Sequence, residues 1–371
     1  MEGIGMISFI HTGDLHLGLQ FKNVSFNKDI AMKRRIELWN TFERIVNRGI
    51  EQRVDFLFFA GDLFEEEYFT LGDIQRVRDT LMKAEKVNII LVAGNHDTLN
   101  LKSLYNMIEW PKNVTLFNSK KLNKVEFADK NTVIYGYSWN SIENNKDLFN
   151  DFQGVDDNKT NILIVHGDLF NKESSYLPLD KNYLHSLGFN YIGLGHIHKP
   201  TILSNKMAYC GSPEPLDFGE TGEHGIIEGF IDKDNTTIKF IPFSSRIFHE
   251  KTIKIDENMG YVDIINKIKQ CDENKELKKN LYRIKLEGIV SREIELNIQD
   301  MTNSLANEFY YIELIDNTII DYDLETLEQE NKDNIIGYFI KEMKNKDLKD
   351  KIIRDALYIG LEALLKGKVG I

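Results

Sequence analysis

Cysteine is nearly absent from this chain: 371 residues hold two, Cys210 and Cys271. Two thiols cannot build a disulfide framework, so the expected compartment is reducing, the cytoplasm. Long apolar runs are missing too. Nothing approaches the roughly 18 residues of a membrane span, and the N-terminus shows no basic segment leading into a signal-length apolar stretch. No membrane association is expected. Positive charge is also scarce: 46 Lys and Arg face 58 Asp and Glu, a net charge of −12. Strong non-specific binding to nucleic acid usually rests on a basic face, so this balance argues mildly against it. It does not exclude it. Part of the acidity can belong to metal ligands whose charge the ions neutralise, and a basic partner can supply the grip. No internal repeat or low-complexity segment is evident. The remainder is ordinary globular composition, 42% hydrophobic and 28% charged, in a chain long enough for two or three domains.

What is there is a series of five short segments: Asp14-Leu15-His16, Gly61-Asp62, Gly94-Asn95-His96-Asp97, His166-Gly167-Asp168 and Gly195-His196-Ile197-His198. Each follows a short apolar run that reads as a strand. The runs are continuous rather than alternating, as in Phe56-Leu57-Phe58-Phe59-Ala60, so these strands are expected to be buried on both faces. Asp14 and His16 are two apart and point the same way on an extended segment; His196 and His198 repeat that spacing. The glycines at 61, 94 and 195 are expected to turn the chain sharply at the strand ends.

Alone, an Asp-x-His or a Gly-Asp is weak and often only a turn. The joint occurrence, in order and each at a strand–loop junction, points to a dinuclear metal centre. No single strand or helix could supply that many ligands. Carboxylate, imidazole and amide oxygen favour ions such as manganese, iron or zinc. The absence of cysteine argues against a structural zinc site. Two ions about 3.5–4 Å apart can clamp a phosphodiester. Four further histidines, 11, 185, 224 and 249, lie outside the segments and read as structural or surface residues.

The set D-x-H, G-D, G-N-H-D, H-G and G-H-x-H resembles that of the calcineurin-like metallophosphoesterases. Longer stretches narrow the likeness. His11-Thr12-Gly13-Asp14-Leu15-His16-Leu17-Gly18, Gly61-Asp62-Leu63-Phe64 and the run from Tyr209 to Glu220 resemble segments of the SbcD and Mre-eleven type DNA repair nucleases. The likeness is firm over residues 7–220 and loose beyond about 250. It implies an α/β (α+β) fold: a four-layer αββα sandwich, a small α+β capping domain and C-terminal helices. It implies a DNA nuclease, exonuclease or endonuclease, working in double-strand break repair with a partner ATPase of the structural-maintenance-of-chromosomes type, SbcC or Rad-fifty-like.

The resemblance also distributes roles. Asp14, His16 and His198 would hold one divalent metal and Asn95, His166 and His196 a second, with Asp62 bridging. Manganese is the leading candidate, with iron, zinc or magnesium as alternatives. His96 and Asp97 would be catalytic, His96 stabilising the transition state or protonating the leaving oxygen and Asp97 orienting His96 or a ligand. Asp168 reads as a turn residue. One departure stands out: Glu65-Glu66-Glu67 follows Gly-Asp-Leu-Phe, where many relatives carry His or Asp and then Pro. That loop is expected beside the metals, where its acidity would bear on how DNA ends enter.

Three segments are expected: a metallophosphoesterase domain over 1–248, a DNA-capping α+β domain over 249–318, and a helical partner-docking segment over 319–371. Helical spacing of apolar residues predicts helices over 29–47, 71–83 and 261–271. Two apolar stripes at 335–343 and 352–364, broken at Asn345-Lys346-Asp347, suit a docking surface for a partner helix. The resemblance further implies a homodimer through the N-terminal helices. The rival reading is a small-molecule phosphodiesterase of the same fold, for instance one acting on cyclic nucleotides. It shares the metal site and has no need of residues 250–371.

Overall fold

The computed structural model describes residues 5–22, 25–140, 148–273, 275–291, 294, 296–348 and 350–366. It divides into two compact units, Met1–Phe248 and His249–Ile371. The first unit runs β1 (Ile7–Thr12), α1 (Lys28–Gln52), β2 (Phe56–Ala60), α2 (Leu71–Met82), β3 (Asn88–Val92), β4 (Val114–Leu116), β5 (Asn123–Phe127), β6 (Thr132–Tyr137), β7 (Thr160–His166), α3 (Lys181–Ser186), β8 (Tyr191–Gly195), β9 (Thr201–Ser204), β10 (Met207–Tyr209), β11 (Gly225–Asp232) and β12 (Asn235–Pro242).

These strands form two six-stranded sheets, ordered β12-β11-β1-β2-β3-β4 and β5-β6-β7-β8-β10-β9. Strands β1 to β4 are parallel to one another, as are β6, β7, β8 and β10. The remaining strands, β11, β12, β5 and β9, pair antiparallel. Parallel central strands end on the same side, and this brings the five segments to one rim.

The continuous apolar runs explain the layering, because each strand sends alternate residues to opposite faces. Phe9, Phe56, Phe58 and Ile90 of the first sheet meet Ile134, Ile162, Ile164 and Tyr191 of the second in a core between the sheets. From the other face of the first sheet, Ile10, Leu57, Phe59 and Leu91 pack with Leu38, Phe42 and Ile45 of α1 and with Ile74, Val77 and Leu81 of α2. The outer face of the second sheet packs Val133, Tyr135, Leu163 and Leu194 with Leu184 of α3 and with Leu148 and Phe189. The expected α/β sandwich is present; among the described residues its fourth layer is thin, with one six-residue helix, α3, and loops.

Helix boundaries shift from the periodicity reading. Helix α1 begins at the Asn27 cap, whose Oδ1 accepts from Ile30 N at 2.9 Å, and runs on to Gln52, where Arg53 closes it in a left-handed conformation. Its apolar pattern fades after Val46, so the sequence places its end too early. Helix α2 starts with a reciprocal Thr70–Asp73 capping box.

The second unit runs β13 (Phe248–Ile255), α4 (Tyr261–Lys269), β14 (Leu281–Ser291), α5 (Ile298–Leu305), β15 (Tyr311–Asp321), α6 (Leu324–Glu330), α7 (Ile335–Lys344) and α8 (Lys351–Lys366). β13, β14 and β15 form a three-stranded sheet. Its core takes Ile253 and Ile255, Ile264 and Ile268 of α4, Tyr282, Ile284 and Leu286, and Met301 and Leu305 of α5.

The two terminal stripes are only partly free for docking. Ile340, Met343, Leu357 and Leu361 bury one another together with Leu327 of α6. Ile335, Tyr338, Ile352 and Ile359 remain exposed. Leu357→Ala should therefore cost about 2–5 kcal/mol as a core truncation, and Ile359→Ala less than about 0.5 kcal/mol. Urea unfolding followed by circular dichroism measures both; equal costs would mean the buried and exposed faces are wrongly divided.

Candidate metal centre

The site is assembled where the loops after β1, β2, β3, β7 and β8 converge. The first two loops are zipped together past the ends of their strands: Asp14 N donates to Gly61 O, His16 N to Asp62 O and Leu17 N to Leu63 O, each at 3.0 Å. Four candidate ligands sit in left-handed backbone: Asp14 at φ 49°, His16 at 48°, Asp62 at 48° and His196 at 98°. Such a conformation costs a non-glycine residue of order 1–3 kcal/mol. The paired loops hold Asp14, His16 and Asp62 there, and His196 is held by its N–H bonds to the Asp14 carboxylate.

The three glycines do different work from that expected. Only Gly61 turns with positive φ, 92°. Gly94 and Gly195 are needed for space: a Cβ on Gly94 would lie 2.2 Å from Asp62 Oδ1, and one on Gly195 would lie 1.9 Å from Ala60 O.

Asp14, His16, Asp62 and His166 are almost wholly buried. Ligand-capable atoms of Asp14, His16 and His198 lie within 4.8 Å of one another, as do those of Asp14, Asp62 and His166, and those of His16, Asp62 and His96. His16 Nε2 and His198 Nε2 are 3.1 Å apart. The Nδ1 of His16 faces Glu65 Oε1 at 2.6 Å, and that of His198 faces Glu220 Oε1 at 2.6 Å. An Nδ1 that donates to a carboxylate leaves Nε2 with a lone pair. Two lone pairs thus point at each other, which only a proton or a cation can reconcile.

The same conflict recurs at the second position. His166 Nδ1 faces the Ala60 carbonyl at 2.9 Å, and its Nε2 faces Asn95 Oδ1, also at 2.9 Å. Asp62 Oδ2 lies 3.3 Å from His166 Nε2 and 3.8 Å from His16 Nε2, between the two positions. Its Oδ1 accepts the His96 N–H at 2.9 Å. This buried set of acceptors, without a thiol, fits two divalent cations.

His196 donates its backbone N–H to both Asp14 oxygens, at 3.0 and 3.1 Å, and its ring faces those of His166 and Tyr176. Burial, and then the nearby His166, lower its pKa to about 4, so it is a neutral imidazole at pH 7. Burial disfavours the cation at His166 and His198 as well. There the surroundings outweigh burial and raise each pKa to about 9: Asp62 and Asp14 act on His166, and Glu220 and Asp14 on His198. Burial raises the Asp14 carboxyl against the pull of His166 and His198. For Asp62, burial is overcome by His166, His16 and His96, and the carboxyl is held far below its ordinary range.

His96 is the exposed member. Its Nδ1 lies 3.0 Å from Glu65 Oε2, a contact that raises its pKa against burial. Asp97 reaches the backbone beside Asn95 and Asp62 rather than His96 itself. No hydrogen bond joins it to His96. Its carboxylate accepts Gly94 N at 2.6 Å, Leu63 N at 2.7 Å and Tyr105 Oη at 2.7 Å. With donors from both loops, Asp97 fixes the loops after β2 and β3 to each other. Asp168 makes the expected turn, accepting Phe170 N and Asn171 N.

Sequence reading missed the two carboxylates that hold the imidazoles. Glu65, which its run of acidic neighbours places at an entrance, is largely buried and grips both His16 and His96. Contact with them brings its pKa down to about 2 even though burial opposes this. Glu220 ends the Tyr209–Glu220 run, and its Oε2 accepts from Ser212 Oγ and Leu216 N. Trp139 was also missed; its Nε1 donates to His166 O at 2.8 Å.

The chain matches the calcineurin-like phosphoesterase family over residues 7–200. It is 28% identical over 267 residues to an uncharacterized metallophosphoesterase, YhaO, of Bacillus subtilis, covering 68% of this chain and 64% of that protein's length. It is 25% identical over 368 residues to the DNA double-strand break repair protein Mre11 of Methanococcus maripaludis, covering 92% of each. The Mre11 of Sulfurisphaera tokodaii is 25% identical over 314 residues, covering 75% of this chain and 73% of that protein.

The raised histidine pKa values carry a sign. In the metal-free chain, the stability contributed by His166 and His198 is fully present below about 6.5 and fades as pH rises through about 9. A metal can bind only once these protons leave. Loading with manganese at pH 7.5 should therefore release between about one and two protons per chain, and affinity should climb towards pH 9. Calorimetry in buffers of different ionisation enthalpy measures this; no proton release would refute the protonated histidines.

Proposed function

We propose that this chain, which belongs to the calcineurin-like phosphoesterase family, is a two-metal phosphodiesterase that acts as a DNA nuclease in double-strand break repair. The observation that carries the reading is the doubled lone-pair conflict on either side of Asp62. In this reading Asp14, His16 and His198 hold one ion, Asn95, His166 and His196 the other, and Asp62 both. Manganese suits the mix of oxygen and nitrogen donors. When bound, the two ions would supply Lewis-acid polarisation of the phosphodiester and a nucleophile at neutral pH.

The protein's own part is positioning and proton transfer. Glu65 and Glu220 fix the tautomers of His16 and His198, so that each Nε2 presents a lone pair. His96, exposed and held through Nδ1 by Glu65, carries a proton over a wider pH range than a free imidazole. It delivers that proton from Nε2 to the leaving oxygen. Asp97 keeps His96 and Asp62 in place by tying their loops.

DNA as the substrate is supported by the Mre11 relatives, one of which aligns along nearly the whole chain, residues beyond 248 included. We assign DNA capping to 249–318 and docking of an SMC-type ATPase to 319–371. The exposed Ile335, Tyr338, Ile352 and Ile359 would form the docking face. Exposed Met32 and Ile36 on α1 and Leu71 and Met82 on α2 suit a homodimer contact. Among the described residues no helix is long and apolar enough to cross a membrane, and a cytoplasmic setting is part of the proposal.

The purified chain with manganese should cleave labelled DNA and bis(p-nitrophenyl) phosphate. Asp62→Ala should abolish both activities and loosen both ions. His96→Ala should keep the ions and lose cleavage by two or more orders of magnitude, about the worth of a general acid. Anomalous scattering on the two variants separates the roles; loss of an ion in His96→Ala would make it a ligand.

The docking face has its own test. Ile335→Asp with Ile352→Asp should end co-purification with the ATPase and leave bis(p-nitrophenyl) phosphate hydrolysis intact. Undiminished co-purification would remove these helices from the interface.

A further inference from the structure

The run from Tyr209 to Glu220 holds His198 at two places. At its near end, Ser212 N donates to the His198 carbonyl at 2.9 Å. At its far end, Glu220 Oε1 faces His198 Nδ1 at 2.6 Å. The Ser212 hydroxyl joins the two ends. Glu220 Oε2 accepts from Ser212 Oγ at 3.0 Å and from Leu216 N at 2.9 Å. Behind Ser212 lies His224, whose Nδ1 is 3.0 Å from Ser212 Oγ and 2.9 Å from Ser212 O. Ser212 and His224 are both buried. The middle of the run has its own anchor. The Glu214 carboxylate accepts Arg34 Nη2, Thr41 Oγ1 and Ser245 N, and Arg34 also donates to Pro215 O. With the backbone held by these bonds and by Ser212 N, the Ser212 hydroxyl is not needed to keep the run on its course.

Donor and acceptor rules allow one placement of the protons. A carbonyl oxygen can only accept, so the contact with Ser212 O puts the His224 proton on Nδ1. Burial lowers the pKa of His224, so at neutral pH the ring carries that proton alone. Burial opposes the charge on Glu220, and His198 with the Leu216 N–H outweighs it, so the carboxylate accepts at both oxygens. Ser212 Oγ therefore receives from His224 and gives its own proton to Glu220. The bonds run one way, from His224 through Ser212 to Glu220, and meet the His198 Nδ1–H arriving from the other side. Bonds aligned in this sense strengthen one another. The other His224 tautomer would set a lone pair against the Ser212 carbonyl and draw the hydroxyl proton away from Glu220. The counterpart across the centre is built differently: Glu65 faces a histidine with each oxygen, His16 with Oε1 and His96 with Oε2.

We propose that Ser212 and His224 are positioning residues for His198. They pin Oε2 of Glu220, which keeps Oε1 on His198 Nδ1 and keeps His198 Nε2 aimed at the Asp14 side of the centre. They act on one of the two candidate metal positions, the one His198 shares with Asp14 and His16, and leave the Asn95–His166 position alone. The link to an ion rests on the phosphodiesterase reading above; the hold on the ring does not.

The test compares the full chain with three variants. Ser212→Ala removes the hydroxyl, His224→Phe removes the donor behind it, and His224→Asn keeps an N–H close to the place of Nδ1. Thermal melting confirms folding of each. The first readout needs no metal. The Nδ1 protons of His198 and His16 are followed by NMR in the metal-free chain, assigned by their loss in Glu220→Ala and Glu65→Ala. The His198 proton should exchange with water on the order of tenfold faster in Ser212→Ala and His224→Phe, as loss of one hydrogen bond predicts. His224→Asn should restore it, and the His16 proton should be unchanged throughout. The second readout is manganese binding, followed by the electron paramagnetic resonance of the free ion. One of two binding steps should weaken about fivefold in Ser212→Ala and His224→Phe and recover in His224→Asn, while the other step holds. A His198 proton as protected in folded Ser212→Ala as in wild type overturns the proposal. So does equal loss at His16 and His198, or at both manganese steps, since the pair would then serve the fold at large. If His224→Asn behaves as His224→Phe, the directed chain is refuted. If wild type binds no manganese yet the His198 proton responds as expected, the two-metal reading fails and the hold on the ring stands.

Discussion

The first unit is arranged around a repulsion. Asp14, Asp62, His16 and His166 are buried together with their acceptor atoms turned inward. Such groups repel unless a proton or a cation lies between them. Everything nearby serves to hold them in that position. The loops after β1 and β2 are bonded pairwise beyond the sheet, and four residues are kept in left-handed backbone. Gly94 and Gly195 give up their side chains so that carboxylate and carbonyl can approach. The two sheets supply the rigidity. Their shared core of Phe9, Phe56, Phe58 and Ile162 fixes the strand ends from which the candidate ligands project.

Much of this was legible in the sequence, for a specific reason. Strands buried on both faces must be apolar throughout, so Phe56–Ala60 and Ile162–Val165 stand out, and the polar residues that follow are conspicuous. Edge strands lack that signature. Asn123–Phe127 alternates exposed and half-buried residues, and the sequence reading does not reach it. Helix α5 was missed as well. It is eight residues long and held by Met301 and Leu305 against the second unit's sheet, a tertiary contact that no local pattern announces.

The candidate site was legible to the depth of the residues that converge on it and no further. Histidine, aspartate and asparagine at strand ends declare themselves by residue type. Glu65 and Glu220 do not, because a surface loop offers glutamates of the same appearance; only the fold reveals that these two face Nδ1 atoms. Asp97 shows the opposite side of that limit. Its place beside His96 in sequence suggested partnership, yet consecutive residues in a tight loop point apart, and its carboxylate went to backbone donors. The C-terminal stripes show a third limit. Periodicity identifies an apolar face and cannot tell whether Leu357 meets a neighbouring helix or another molecule.

The carboxylates around the ligands also set the electrical character of the centre. Asp14 and Asp62 lie among the ligand atoms, and Glu65 and Glu220 stand directly behind them. Four such charges would balance two divalent cations, leaving the loaded centre close to electroneutral. A polyanion approaching it would feel little long-range pull from the ions, and the acidic remainder of the chain offers none. Capture would then depend on short-range coordination once the strand has arrived, while the approach itself must be guided from elsewhere. Encounter and chemistry would thus be governed by separate parts of the surface, and ionic strength would alter the rate of the first while leaving the second almost untouched.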